Sequence, residues 1–135
     1  MAVLIFSTAS YAQGGSKLVV KVIGVRSTKG QVLVAVYNSE KGFPVNQKRS
    51  FRASGAVIEG NTATVVFENL VPGTYAVVTS HDENGNGKID TNFIGMPKEG
   101  VAVSNNPEPS GPPSFKDSNF ELNGAAKTIT MKINY

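Results

Sequence analysis

Apolar and polar positions alternate along most of the chain with a period of two, the spacing of half-buried strands. Lys17-Leu18-Val19-Val20-Lys21-Val22-Ile23 is rich in β-branched residues and stops at Gly24. From Gln31 to Asn38, Val32, Val34 and Val36 fall on one face, and Leu33, Ala35 and Tyr37 on the other. Thr62 to Glu68 turns Ala63, Val65 and Phe67 inward and Thr62, Thr64 and Glu68 outward. Thr74 to His81 and Thr128 to Asn134 alternate in the same way, and weaker strands are predicted at Ala56 to Glu59 and Asn119 to Leu122. Lys29-Gly30, Gly60-Asn61, Pro72-Gly73 and Asn123-Gly124 punctuate these runs as turns. About seven short strands joined by such turns predict an antiparallel β-sandwich. Between them, Glu40 to Ala53 has room for a helical turn or a linking loop. Phe43-Pro44 would dock it on the sandwich, with Lys48, Arg49 and Arg52 facing solvent.

The segment from Asp82 to Phe115 breaks the pattern and fills with Gly, Asn and Pro. Loops of that length in compact domains are functional or disordered. The apolar anchors Ile89, Phe93, Ile94, Met96, Val101, Val103 and Phe115 predict an ordered, packed one. Pro107, Pro109, Pro112 and Pro113 stiffen its second half, and the isomeric state at Pro112 and Pro113 is not legible from sequence.

Composition narrows the chemistry. With 135 residues the chain makes one domain, and its lack of cysteine excludes a disulfide scaffold, a thiolate metal site and thiol catalysis. A single histidine excludes a multi-histidine metal site, and a net charge of +3 is too mild to imply nucleic acid. Met1 to Phe6 is apolar, and Ser10 and Ala12 fit the small-x-small pattern before a secretory cleavage site. Residues 1–12 therefore read as the remnant of a signal peptide, and 13–135 as a single β-sandwich domain. The alternative is an apolar first strand. No later run reaches the ~20 apolar residues that span a bilayer, so a periplasmic or secreted location is expected, without a transmembrane segment.

Asp82-Glu83-Asn84-Gly85-Asn86-Gly87-Lys88-Ile89-Asp90 carries the candidate chemistry. Side-chain oxygens at alternate positions followed by glycine match the calcium-loop pattern D-x-[DN]-x-[DN]-G. Asp82, Asn84 and Asn86 would occupy loop positions 1, 3 and 5, Lys88 would offer its carbonyl, and Asp90 would stand at position 9. Position 12, where a bidentate carboxylate belongs, holds Phe93, and Asn92, Glu83 and Glu99 are the nearest replacements. With only Asp82 and Asp90 charged, modest affinity is expected. The alternative is a pair of Asn-Gly turns whose side chains serve their own backbone.

His81 precedes this loop. Beside Asp82 or Glu99 it would make a hydrolytic base, but no nucleophile-elbow motif accompanies it, and a histidine that ties loop backbone together is the simpler reading. Lys48, Arg49 and Arg52 could bind an anion or simply form a solvated face.

Several motifs together resemble one family. They are Lys29-Gly30, Asn38-Ser39 with Gly42-Phe43-Pro44, Pro72-Gly73-Thr74-Tyr75-Ala76, the run from His81 to Asp90, Gly95-Met96-Pro97-Lys98-Glu99-Gly100, Ser104-Asn105-Asn106 and Gly111-Pro112-Pro113-Ser114-Phe115. From Leu18 onward the chain resembles an uncharacterised family of exported bacterial proteins, domain of unknown function 2141. Val71 stands where that family commonly has proline. The expected sandwich is immunoglobulin-like or prealbumin-like, and the Pro-Gly-Thr-Tyr-Ala entry also looks like the prealbumin-like and Cna-B-like sandwiches, some of which carry a related calcium loop. The resemblance implies an exported domain of unassigned activity; a shared fold licenses no activity by itself.

The expected function is thus a non-catalytic binding or accessory domain, monomeric, with a calcium-organised loop. His81, Asn92, Glu99 and Asn105 would form the surface for a small ligand, a glycan or an envelope protein. Phe93 and Phe115 are the aromatics available for a sugar or peptide. A small hydrolase using His81, and a purely structural envelope protein, are the alternatives.

Overall fold

A computed structural model describes residues 15–44, 46–87, 100–105 and 113–135. The expected signal-peptide remnant, and the segments 88–99 and 106–112 of the long loop, lie outside them. Eight strands are described: β1 (Ser16–Ile23), β2 (Gln31–Tyr37), β3 (Arg52–Ala56), β4 (Ala63–Leu70), β5 (Gly73–Asp82), β6 (Val101–Val103), β7 (Phe120–Leu122) and β8 (Ala126–Lys132). One four-residue helix, α1 (Phe115–Ser118), precedes β7.

The strands form two facing sheets. One has the order β4-β1-β8; the other has the order β3-β2-β5-β6, with β7 on β5 as well. The inward rows of β1 (Leu18, Val20, Val22), β2 (Val32, Val34, Val36) and β4 (Ala63, Val65, Phe67) meet in one core. This is the all-β sandwich that the alternation predicts, and the inward and outward sets of β2 and β4 fall where expected.

Three features differ from the expectation. Strand β8 runs parallel to β1, with Val20 beside Ile129 and Val22 beside Met131, so the sandwich is not wholly antiparallel. The weak strand expected at Ala56 to Glu59 lies earlier, at Arg52–Ala56, because it is Ala56 that registers with Val32. Glu59 instead closes a tight turn against Thr62. Third, the segment read as continuous loop contains β6, which pairs Val78 with Val103 and Ser80 with Val101.

β5 is the central element, ten residues long with β2 on one side and β6 and β7 on the other. A strand buried on both faces loses its polar alternation, and from Tyr75 to Asp82 every residue of β5 is buried. Ala35, Tyr37 and Val78 form a second apolar cluster on the outer face, against which Phe43, Val103 and Phe115 pack. Phe43 meets Tyr37 edge-on at 5.3 Å and Phe115 at 5.9 Å, so it docks the Glu40–Ala53 segment as expected. Lys48, Arg49 and Arg52 are exposed. The Phe43–Pro44 peptide is cis.

Candidate functional site at the end of strand β5

β5 delivers His81 and Asp82, both fully buried, to one end of the sandwich. Ionised carboxylates are rarely buried without donors, and among the described residues Asp82 has three. Its Oδ1 accepts from the Asn86 amide at 3.2 Å, and its Oδ2 from the Gly87 amide at 2.8 Å and from Gln31 Nε2 at 3.1 Å. Asn84 Oδ1 also accepts from the Asn86 amide, at 3.1 Å, and the Gly85 amide donates to the Asp82 carbonyl at 3.2 Å. Residues 82–87 thus wrap around the Asp82 carboxylate. Gly85 and Gly87 take φ of +68° and +79°, a region that the wrap requires and that side chains disfavour.

The neighbouring turn is fitted equally closely. Gly30 has φ of +69°, and a Cβ there would stand 1.9 Å from the Asp82 carbonyl oxygen. No other residue can let the β1–β2 connection pass over the end of β5.

His81 sits in a chain of bonds whose donors can be assigned. Nε2 lies 2.8 Å from the Lys29 carbonyl, which only accepts, so Nε2 carries the proton. Nδ1 lies 2.8 Å from the Tyr135 hydroxyl, which donates to it when the ring is neutral. The same hydroxyl accepts from the Arg26 amide at 2.9 Å. His81 also donates its backbone amide to Gly100, at 2.8 Å. The Tyr135 ring passes so close to Gly100 that a Cβ there would stand 2.4 Å from it.

Arg26 closes the arrangement above Tyr135. Its guanidinium carbon lies 4.3 Å from the Tyr135 ring centroid, within cation–π range. The same group grips Glu83 with two bonds, Nη2 to Oε1 at 2.6 Å and Nε to Oε2 at 3.1 Å. The bond from Arg26 holds the Glu83 carboxyl below the usual carboxylate range, and its bond to Glu83 raises the Arg26 guanidinium.

Of the residues singled out from sequence, His81, Asp82, Asn84 and Asn86 come together here. Lys88, Asp90, Asn92 and Glu99 lie outside the described residues. Asn105 stands apart, at φ of +67°, with its Nδ2 donating to the Asn119 carbonyl at 2.7 Å. Beside it, Ser104 bonds the Ser118 carbonyl and receives the Val77 amide, so both residues fasten α1 to the sheet. Among the described residues no three His, Asp or Glu side chains gather at a metal position. Arg26, Gln31, Gly100 and Tyr135 were not legible from the sequence, since each reaches the site through folding rather than through local spacing.

Both ring nitrogens of His81 are engaged, one of them by a backbone carbonyl. A base for hydrolysis would have to break one of these bonds, while a brace uses them as they are.

Fold and site together define a β-sandwich protein whose candidate chemistry is an Asp/Asn/Gly turn at one end of its central strand. The chain belongs to DUF2141, an uncharacterized protein family conserved in bacteria, whose model it matches over residues 20–130. No curated protein and no solved structure matches it. Among the described residues no helix is long and apolar enough to cross a membrane.

Proposed function

We propose that this domain acts outside the cytoplasm as a non-catalytic binding or accessory module whose end loop is organised by one calcium ion. Asp82, Asn84 and Asn86 provide side-chain oxygens, Lys88 its carbonyl and Asp90 a second carboxylate. The observation that carries this reading is the buried Asp82 carboxylate with the chain wound around it. Among the described residues three donors orient this carboxylate. Asn84 Oδ1 shares the Asn86 amide with Asp82 Oδ1, so two of the proposed ligand oxygens converge on one donor. The donor set is all oxygen, which suits a hard cation and excludes a soft one.

Export is supported by the leader-like start of the chain. The surface for a ligand or partner is the loop itself, through Asn92 and Glu99, with the fully buried His81 as a brace beneath it and not a contact. With only Asp82 and Asp90 charged, the expected dissociation constant is in the range of extracellular modules, about 0.1–1 mM. Isothermal titration of residues 13–135 with CaCl2 tests the reading. One site per chain, lost in Asp90→Asn, supports it. No heat at millimolar calcium removes the ion.

A further inference from the structure

Three Asn-Gly pairs are exposed on this protein: Asn84-Gly85, Asn86-Gly87 and Asn123-Gly124. This dipeptide is the one most prone to spontaneous deamidation, because glycine does not hinder its own nitrogen. In that reaction the glycine amide nitrogen loses its proton to solvent base and attacks the asparagine Cγ. The side-chain nitrogen leaves as ammonia and a five-membered succinimide closes. Water then opens the ring to aspartate or isoaspartate. Exposure does not separate the three sites, since all three asparagines are exposed.

The attacking nitrogens do differ. The Gly87 amide donates to the Asp82 carboxylate at 2.8 Å, a charge-assisted bond to a fully buried acceptor. The Gly85 amide donates to the Asp82 backbone carbonyl at 3.2 Å, a longer and neutral bond. Among the described residues nothing accepts from the Gly124 amide. That turn is held by other atoms: Ser16 Oγ donates to the Gly124 carbonyl at 2.6 Å, and the Lys17 amide donates to the Ala125 carbonyl at 2.9 Å. A Cβ at Gly124 would meet nothing within 4 Å, so the turn also has room for a closing ring.

We infer that Asn123 is a self-modification site, converted by water to aspartate or isoaspartate in the folded protein, while Asp82 protects Asn86 by holding the Gly87 amide. Asn84 is intermediate. Conversion of Asn123 removes one unit of net positive charge at the β7–β8 turn, and the isoaspartate product adds a backbone carbon beside the start of β8. Asp82, Asn84 and Asn86 are also the side chains proposed to hold calcium, so the rates are compared in a chelator, where only bonds within the chain act.

The test follows the +1 Da mass change at each asparagine by peptide mapping, during incubation at pH 8 and 37 °C, in buffer and in denaturing urea, both with chelator. In urea the three sites share one dipeptide and should react at similar rates. In buffer Asn123 should outpace Asn86 by about tenfold or more, the cost of first opening a charge-assisted hydrogen bond. Asp82→Ala should bring Asn86 towards its rate in urea. If that variant fails to fold, the wild-type ratio of buffer to urea rates still decides. Equal rates at Asn86 and Asn123 in buffer would overturn the inference, as would a difference that persists unchanged in urea.

Discussion

His81 shows how much of the site depends on single bonds. Replacing it with Ala leaves the Lys29 carbonyl and the Tyr135 hydroxyl without their partner and empties a fully buried space. We expect a loss of about 2–4 kcal/mol in urea denaturation, from cavity and unmet hydrogen bonds together. Tyr135→Phe, which removes one hydroxyl and keeps the ring, should cost about 1 kcal/mol. The two together should cost less than their sum, because they share a bond. Glu83 gives the acid limb of stability. Its carboxyl titrates below the ordinary 4.5 when folded, so between the two values the unfolded chain binds more protons. The contribution of the Arg26–Glu83 pair is whole above pH 4.5 and is lost as pH falls through the lowered folded value. Glu83→Gln should therefore flatten the stability–pH curve on that limb. The effect should be small and shrink with salt, since the pair is partly exposed. From sequence, the local half of this site was legible: Asp82, Asn84 and Asn86 announce a turn by their spacing. Arg26 and Tyr135 were not, because their roles arise only when distant strands bring them to the end of β5.

At the scale of elements, β2 and β5 are buried on both faces and lie side by side in the larger sheet. Tyr37, at the end of β2, has its hydroxyl pushed up to about 12 by burial. The folded state thus keeps a proton that the unfolded chain loses above pH 10. The stability contribution is complete below pH 10 and is lost as pH rises towards 12. Tyr37→Phe should remove that alkaline loss, as read from denaturation midpoints at pH 9 and pH 11. It should leave neutral stability nearly unchanged, because the only bond of the hydroxyl among the described residues, to the Pro44 carbonyl, is long at 3.5 Å. Alternation revealed β4 in the sequence, whereas β2 and β5, buried on both faces, showed as β-rich runs between turn signals. The pairing of β8 with β1 in parallel left no trace, since a parallel neighbour changes hydrogen-bond slant and not side-chain period. The three residues of β6 were hidden in a Gly- and Asn-rich stretch, where tertiary pairing with β5 makes the strand.

At the scale of the whole molecule, the described residues form a sandwich with a polar turn at the end of its central strand. Through Arg26, Tyr135 and Gly100, that turn is joined to the β1–β2 connection and to the far end of β8. An ion that holds residues 82–90 should therefore stabilise the entire fold and not the loop alone, by linkage between binding and folding. Thermal unfolding of residues 13–135, recorded in 10 mM CaCl2, in 10 mM MgCl2 and in a chelator, reads that linkage directly. The account predicts a higher melting temperature in calcium than in either other condition, with the difference absent in Asp90→Asn. Superimposable curves in calcium and chelator would contradict it, and the turn would then be a closure held by bonds within the chain.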